Sequence, residues 1–373
     1  GRLARTRHWS VRAGDDGRLV ATSVLAGREY WLTLAELGVL LHYPVGDGVA
    51  PSGSHDAAQL VRLAERGLLL SETGSGLFAE YRRREAALGH PAWNLHAAQF
   101  HAMTRWSDVR SAPVLGSFPR DATSWPPPPH FHSVRSALSR ADLPSPSELD
   151  GLSGILRSRR TTTRGFDTAA SISLAELSTV LYWVYGCQGV REVVPGELTI
   201  VRKTSPSGGA QHPTEAYLIA RNVDGLAPGL YHYDVEHHGL ELLDDLPGRD
   251  LVELNEALLA GQAHLATASV VFYLTSRYAR TFWKYPRHAK AYKVLLLDAG
   301  HLSQTSYLVC AHLGLSAFVT AAINEANVDA LLGLEAFTEG AVLATGCGHA
   351  LDPDGEPGYQ DNPGAPSMPG DSP

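Results

Sequence analysis

From Pro286 to Leu313 the chain reads PRHAKAYKVLLLDAGHLSQTSYLVCAHL, and this stretch limits the possible folds more than any other. Tyr292, Leu295, Ala299, Leu302, Ser306, Val309 and Leu313 recur at spacings of three and four, and Leu296, Gly300, Ser303, Tyr307 and Cys310 form a second stripe. A helix apolar on two faces has to be buried, between layers of one subunit or between two subunits. Gly300 and Ser303 leave room for close approach. The predicted helix opens at Pro286, a residue suited to a first helical turn.

Around it, residues 151–350 alternate helices with strands. SLAELSTVLYWVYG has helical spacing, EAYLIARNV and GLYHYDV read as strands joined through Asp224-Gly225, ASVVFYLTS reads as a buried strand and AVLATGCG as another. The expectation is an α+β core, a mixed sheet flanked by helices with the long helix buried in it. Residues 1–80 carry short strands (RLVATSVLA, REYWLTL), a helix (LAELGVLLHY), and a second helix (HDAAQLVRLAERG) that stops at Gly67 before LLLSE. This strand–helix–helix–strand order predicts a winged-helix-like module. Residues 81–150 hold a helical extension and a linker with four consecutive prolines, 126–129, which favour an extended spacer. Residues 351–373 read as a Pro/Gly-rich arm.

Composition removes several function classes. A net charge of −8 gives no basic footprint for nucleic acid or an anionic membrane. No window approaches ~18 consecutive apolar residues and the N-terminus has no apolar signal core, so the expected location is the cytoplasm. Cys187, Cys310 and Cys347 are odd in number and widely spaced, which supports neither a disulfide framework nor a zinc knuckle. His130 and His132 form an HxH pair with His96 and His101 upstream, but no matching Cys or carboxylate spacing accompanies them, so no metal site is expected.

Two loops carry candidate binding chemistry. RRTTTRGF, residues 159–166, sets guanidinium forks beside hydroxyls, a combination suited to a terminal phosphate; the alternative is a solvated surface loop. SPSGGAQHPTEAY, residues 205–217, pairs Gly208 with Gly209 between Pro206 and Pro213, so that backbone amides can approach a flat ligand; the alternative is a tight turn before a strand.

Taken together, RxTxRxF from Arg160 to Phe166, PSGGAQHPTEAY from Pro206 to Tyr217, GLYHYD from Gly229 to Asp234 and WKYPRHAKAYKVLLLDAGHLSQ from Trp283 to Gln304 resemble the FMN-dependent nitroreductase superfamily. Within it they look most like the SagB-type azoline dehydrogenases. The resemblance implies an obligate homodimer with FMN at the subunit interface and oxidation of thiazoline or oxazoline rings in a modified precursor peptide. It implies phosphate and ribityl contacts from Arg160, Thr162 and Arg164, and ring contacts from Pro206, Ser207, Gly208 and Gly209, with His212 capping that loop. Lys284 and Tyr285 match the catalytic Lys-Tyr motif. Thr162 stands where Ser is more usual, and Pro286 where many members have Gly. The N-terminal module similarly resembles precursor-peptide recognition domains, with a dimerisation or lid role as its alternative, and a cyclodehydratase is a candidate partner.

Aromatising an azoline removes a Cα proton and a hydride from Cβ, so it needs a base and an acceptor. A tyrosine hydroxyl with a solution pKa of ~10 is a poor base at neutral pH, and an adjacent ammonium favours its phenolate. The pair can face one pocket only if the backbone there is non-helical. Asp298 and His301, three residues apart, are expected to pair with each other across the helix. The rival readings are an NAD(P)H-dependent nitroreductase-like or dehydroamino-acid reductase on the same fold, and a flavin-free peptide scaffold.

Overall fold

The computed structural model describes residues 2–110 except 15, 52, 54 and 90–92, residue 149, and residues 151–352 except 163, 164, 195–197 and 287. Arg164, His130, His132, the proline run and all of the C-terminal arm beyond 352 lie outside the described residues.

The N-terminal part begins with β1 (Leu3–Arg5) and a meander of β2 (Trp9–Ala13), β3 (Leu19–Ser23) and β4 (Arg28–Leu32). Helix α1 (Leu34–His42) starts from a capping box made by Thr33 and Glu36. Helix α2 (Ala57–Glu65) is capped by Asp56 and gives way to β5 (Leu69–Ser71), which returns antiparallel to β1. Gly67 makes the turn between them at φ 63, a conformation L side chains rarely adopt. Leu40, Leu63, Leu68 and Leu69 are buried in its core. Helix α3 (Leu77–Gly89) runs through position 80, where the sequence suggests a seam, and its Tyr81 hydroxyl donates to Glu65 O in α2 at 3.0 Å. Helix α4 (Leu95–Thr104) follows, capped by Asn94.

The second part holds α5 (Leu152–Ser158), β6 (Ile172–Ser173), α6 (Leu174–Val184), the hairpin β7 (Gly189–Val194) and β8 (Leu198–Arg202), β9 (Thr214–Ala220), β10 (Val223–Asp224), β11 (Gly229–Asp234) and β12 (Gly239–Asp244). Then come α7 (Leu251–Leu258), α8 (Ala263–Ala266), β13 (Val270–Arg277), α9 (Tyr278–Lys284), α10 (Ala289–His312), β14 (Ser316–Thr320), α11 (Glu325–Leu332) and β15 (Glu339–Gly348). Six strands form one sheet in the order β12-β11-β9-β13-β15-β14. This corrects the expectation of a mixed sheet, because every pairing in it is antiparallel and the parallel β6–β10 pair of two residues lies outside it. Short returns such as β11 to β12 reverse the chain into the neighbouring strand, which forces antiparallel pairing.

Both sheet faces are covered, as the α+β reading requires. Leu177, Leu181, Ala299, Leu302 and Cys310 from α6 and α10 pack on Leu218, Val270 and Phe272. Leu258, Leu265 and Val328 from α7, α8 and α11 pack on Ile219, Val271 and Tyr273 of the other face. The long helix starts at Ala289, with His288 as its N-cap, and not at Pro286, which lies in a turn. Its first stripe is buried at Leu295, Ala299, Leu302 and Ser306. The second is divided: Ser303 and Cys310 are buried, whereas Leu296 and Gly300 are exposed beside Leu297.

The N-terminal part is welded to this layer by aromatic packing. Trp93 lies against Tyr278, Phe282, Tyr292 and Phe337 with ring centroids 4.9–5.6 Å apart, and its indole N–H donates to Phe337 O at 3.1 Å. His101 is fully buried, with Nε2 2.8 Å from Ala336 O and Nδ1 2.8 Å from the Tyr292 hydroxyl. Since a carbonyl only accepts, Nε2 carries the proton and Nδ1 accepts from Tyr292. Both ring nitrogens are thus used by protein groups, and among the described residues no cluster of three His, Cys, Asp or Glu could hold a metal ion. Nor is any described helix long and apolar enough to cross a membrane.

Candidate functional site

The loop after β8 lies along one face of α10. Val294, Asp298, His301 and Thr305, spaced four, three and four apart, share that face and meet successive loop residues. A Cβ on Gly208 would come within 2.1 Å of Val294 Cγ1, so only glycine fits there. Asp298 accepts from Ser207 Oγ at 2.6 Å and from Gly208 N at 3.0 Å. His301 Nδ1 is 3.3 Å from Pro206 O, and Thr305 Oγ1 is 2.6 Å from Ser205 Oγ. Asp298 and His301 therefore reach the loop, which corrects the expectation that they pair only with each other: the loop offers N–H and O–H donors to the carboxylate and a carbonyl to the imidazole, and both side chains point its way.

The loop itself is held in an uncommon backbone conformation. Gly209, Ala210 and His212 have φ of 69, 56 and 44. Non-glycine residues in the left-handed region persist only where surrounding contacts over-determine them. Those contacts are present: His212 N donates to Ser207 Oγ at 2.8 Å, Gln211 Nε2 to Gly209 O at 2.8 Å, and Arg280 Nε to Gln211 O at 2.7 Å.

Lys284 and Tyr285 approach this loop from the end of α9. Lys284 is the last helical residue, and Tyr285 is the C-cap with φ −127 and ψ 61, so the backbone between the two side chains is non-helical. Lys284 Nζ donates to Gly209 O at 3.0 Å. A Cβ built on Gly209 would lie 2.8 Å from Tyr285 Oη and 2.9 Å from Lys284 Nζ, so the hydroxyl and the ammonium converge on the same spot. The Lys284 ammonium also sits 5.9 Å from the Tyr285 ring centroid.

Electrostatics set the protonation of the loop's neighbours. Burial, together with the cations of Lys203 and Arg280, lowers the His212 imidazole to about 4, so it is neutral at physiological pH. Lys203 is itself lowered, chiefly by burial, against the attraction of Glu215. Burial raises Asp298, and the bonds from Ser207 and Gly208 oppose that rise. Lys203, Ser205, Ser207, His212, Thr214 and Asp298 line a crevice under the loop.

The arginine segment lies elsewhere on the same helix. Thr161 Oγ1 donates to the Tyr307 hydroxyl at 3.1 Å and the Arg159 guanidinium sits 5.3 Å over the Tyr307 ring. Arg160 is exposed and donates to Arg157 O and Arg159 O, while Thr162 is buried and its N–H donates to Ala317 O at 3.0 Å. Tyr307 is nine residues beyond Asp298, ~14 Å along the axis. Within one chain the structure thus brings together Pro206–Gly209, His212, Lys284 and Tyr285, and leaves Arg160 and Thr162 at the far end of α10.

A family model for nitroreductases, described as the nitroreductase family, matches residues 156–349, more than half of the chain. The chain belongs to that family. It is 29% identical over 223 residues to the trifolitoxin-processing protein TfxB of Rhizobium leguminosarum bv. trifolii, covering 58% of each protein. The chain thus spans little more than half the length of that relative. MJ1384 of Methanocaldococcus jannaschii, named as a nitroreductase, is 29% identical over 171 residues, 45% of this chain and 78% of that one. Among solved structures, a chain of the E. coli microcin synthetase McbBCD complex with truncated pro-MccB17 bound superposes with a TM-score of 0.51 at 18% identity, over 76% of this chain and 100% of that one. It shares the nitroreductase-like fold.

Sequence reasoning missed Lys203, Gln211 and Arg280 and undervalued Asp298. A signal for Asp298 is present: it is the charged residue in the periodic stripe with Leu295, Ala299 and Leu302, which is buried and where a carboxylate requires donors.

Proposed function

We propose that this nitroreductase-family protein is an FMN-dependent dehydrogenase that oxidises azoline rings to azoles in a ribosomally made, modified peptide. The observation that carries the reading is the convergence of the Lys284 ammonium and the Tyr285 hydroxyl beside Gly209. A proton acceptor with a cation next to it is what removal of an azoline Cα proton asks of the protein. The processing role in the name of the relative TfxB supports a peptide substrate.

The residues present fit the cofactor. Arg160 is exposed for a phosphate, with Thr162 and Arg164 in the same motif, and the Pro206–Gly209 loop with His212 forms a wall for a planar ring. Half-buried Lys203 and the neighbouring Arg280 place two cations close to that wall, near enough to lower His212, which suits a ring that gains negative charge on reduction. Bound FMN would supply the two-electron acceptor for the hydride equivalent leaving Cβ. The chain's own groups do the rest: Tyr285, as the phenolate that the Lys284 ammonium holds, takes the Cα proton and becomes the neutral phenol.

A homodimer belongs to the same proposal. Leu296 and Leu297 on α10, Trp183 on α6 and Val190 on β7 are large apolar side chains exposed in the single chain. Burial between two subunits would also allow one chain's arginine segment and another's loop to serve one ligand. Docking of the precursor peptide or a cyclodehydratase falls to the N-terminal module.

The deciding experiment follows flavin reduction anaerobically with an azoline-bearing peptide. Tyr285→Phe should keep its FMN and react ~10²–10⁴-fold more slowly. An unchanged rate in flavin-replete Tyr285→Phe, or reduction by NAD(P)H but not by the peptide, would replace this reading with the reductase one.

A further inference from the structure

We infer that Asp298 is the positioning residue for the Lys284 ammonium, acting through the backbone of the Pro206–His212 loop. The inference rests on the reading of Lys284 and Tyr285 as the proton-handling pair.

Asp298 is 4% exposed in a stripe otherwise made of Leu295, Ala299 and Leu302. Both carboxylate oxygens are used by the loop: Oδ2 accepts from Ser207 Oγ at 2.6 Å and Oδ1 from Gly208 N at 3.0 Å. Ser207 Oγ in turn accepts from His212 N at 2.8 Å. One side chain thereby ties down both ends of the segment 207–212. Between those ties lie the left-handed residues Gly209 and Ala210, with His212 at the far tie. Strain of this kind relaxes when an anchor is removed.

What the anchored segment presents is the carbonyl of Gly209, which accepts from Lys284 Nζ at 3.0 Å and from Gln211 Nε2 at 2.8 Å. The chain of contacts runs Asp298 to Ser207 and Gly208, through the peptide to Gly209 O, and from there to Lys284. The geometry also explains why the residue is an acid. The loop offers two donors to one side chain, and a carboxylate has two accepting oxygens where an asparagine has one. His301, the other titratable group facing it on α10, is occupied with Pro206 O.

The test uses the full FMN-loaded protein and the azoline-peptide assay on Asp298→Asn, Ser207→Ala, Lys284→Ala and the Asp298→Asn/Lys284→Ala double variant. Hydrogen exchange of residues 205–213 is measured on the same samples and on flavin-stripped protein. Asp298→Asn is expected to keep its FMN, to exchange faster at Gly208–Gln211, and to lose ~10–10²-fold in kcat with KM little changed. Ser207→Ala, which leaves the core of α10 untouched, should show the same pattern more weakly. In the Lys284→Ala background Asp298→Asn should cost less than ~2-fold, because the group it positions is gone. Losses that simply multiply in the double variant, or loop exchange unaltered by Asp298→Asn, overturn the inference while a slow Lys284→Ala leaves the catalytic reading intact. A fully active Lys284→Ala overturns both.

Discussion

The side chain of Lys284 ends on the carbonyl oxygen of Gly209, 3.0 Å away, and Gly209 can make that contact only because it is a glycine at φ 69. The same glycine leaves the space that Tyr285 Oη and Lys284 Nζ share. Loop and pair are parts of one object, and substitutions in the loop are read out at the pair.

Gly208→Ala is the direct probe of loop against helix. Its new Cβ would lie 2.1 Å from Val294 Cγ1, so one of the two has to move. The expected result is a loss of turnover and ~1–3 kcal/mol of stability, as for other overpacked sites. Val294→Ala removes the obstructing methyl and should restore most of both in the double variant, as followed by denaturant unfolding and flavin reduction. A double variant as impaired as Gly208→Ala alone would count against the packing explanation.

Arg160→Ala should weaken FMN retention without slowing the chemistry of the fraction that stays loaded. Each charged hydrogen bond lost is worth ~1.5–3 kcal/mol, or ~10–10²-fold in dissociation constant. Fluorescence titration of the stripped protein with FMN measures it, and equal affinities for parent and variant would remove Arg160 from the binding site.

Acid should destabilise the fold through His212. Its imidazole takes a proton near 6.5 when unfolded but only at about 4 in the fold, so the unfolded state binds more protons between those values. Stability is therefore complete above pH ~6.5 and falls as pH drops towards 4. His101, lowered in the same direction by burial, adds to the slope. His212→Asn suits the left-handed φ of 44 and does not titrate, so its urea midpoint should fall less between pH 7 and pH 4.5 than that of the parent. Parallel curves for parent and variant would show that the folded imidazole protonates normally.

The Arg105–Asp329 ion pair fixes the end of α4 to α11 and, through Asp329 Oδ1 accepting from Ala341 N at 2.8 Å, to β15. The two side chains are 10% and 6% exposed, and burial pushes Asp329 up to about 6 even beside the guanidinium. Asp329→Ala strands a buried cation and should cost ~3–5 kcal/mol. Replacing both partners by leucine should cost less, and a double variant at least as unstable as Asp329→Ala would contradict the account of the loss as an uncompensated charge.

Much of this molecule is set by local sequence. Capping residues Thr33, Asp56 and Ser173 start the helices where the pattern places them, Gly67 ends α2, and the apolar runs at 214–220 and 270–277 become central strands. Spacing of three and four is enough to fix which face of a helix is buried, because that depends only on residues within two turns. The glycine pair and the Lys-Tyr dipeptide are equally legible, since each is contiguous. What the sequence could not give is how they meet. That Lys284 ends on Gly209 depends on residues 75 positions apart being brought together by the β13–α9 turn, and that Asp298 ties the loop depends on the register of α10 against it, 90 positions away from Gly208. The direction of the sheet was likewise decided by how each strand is connected and not by its composition, because strands buried on both faces have the same apolar pattern whether parallel or antiparallel.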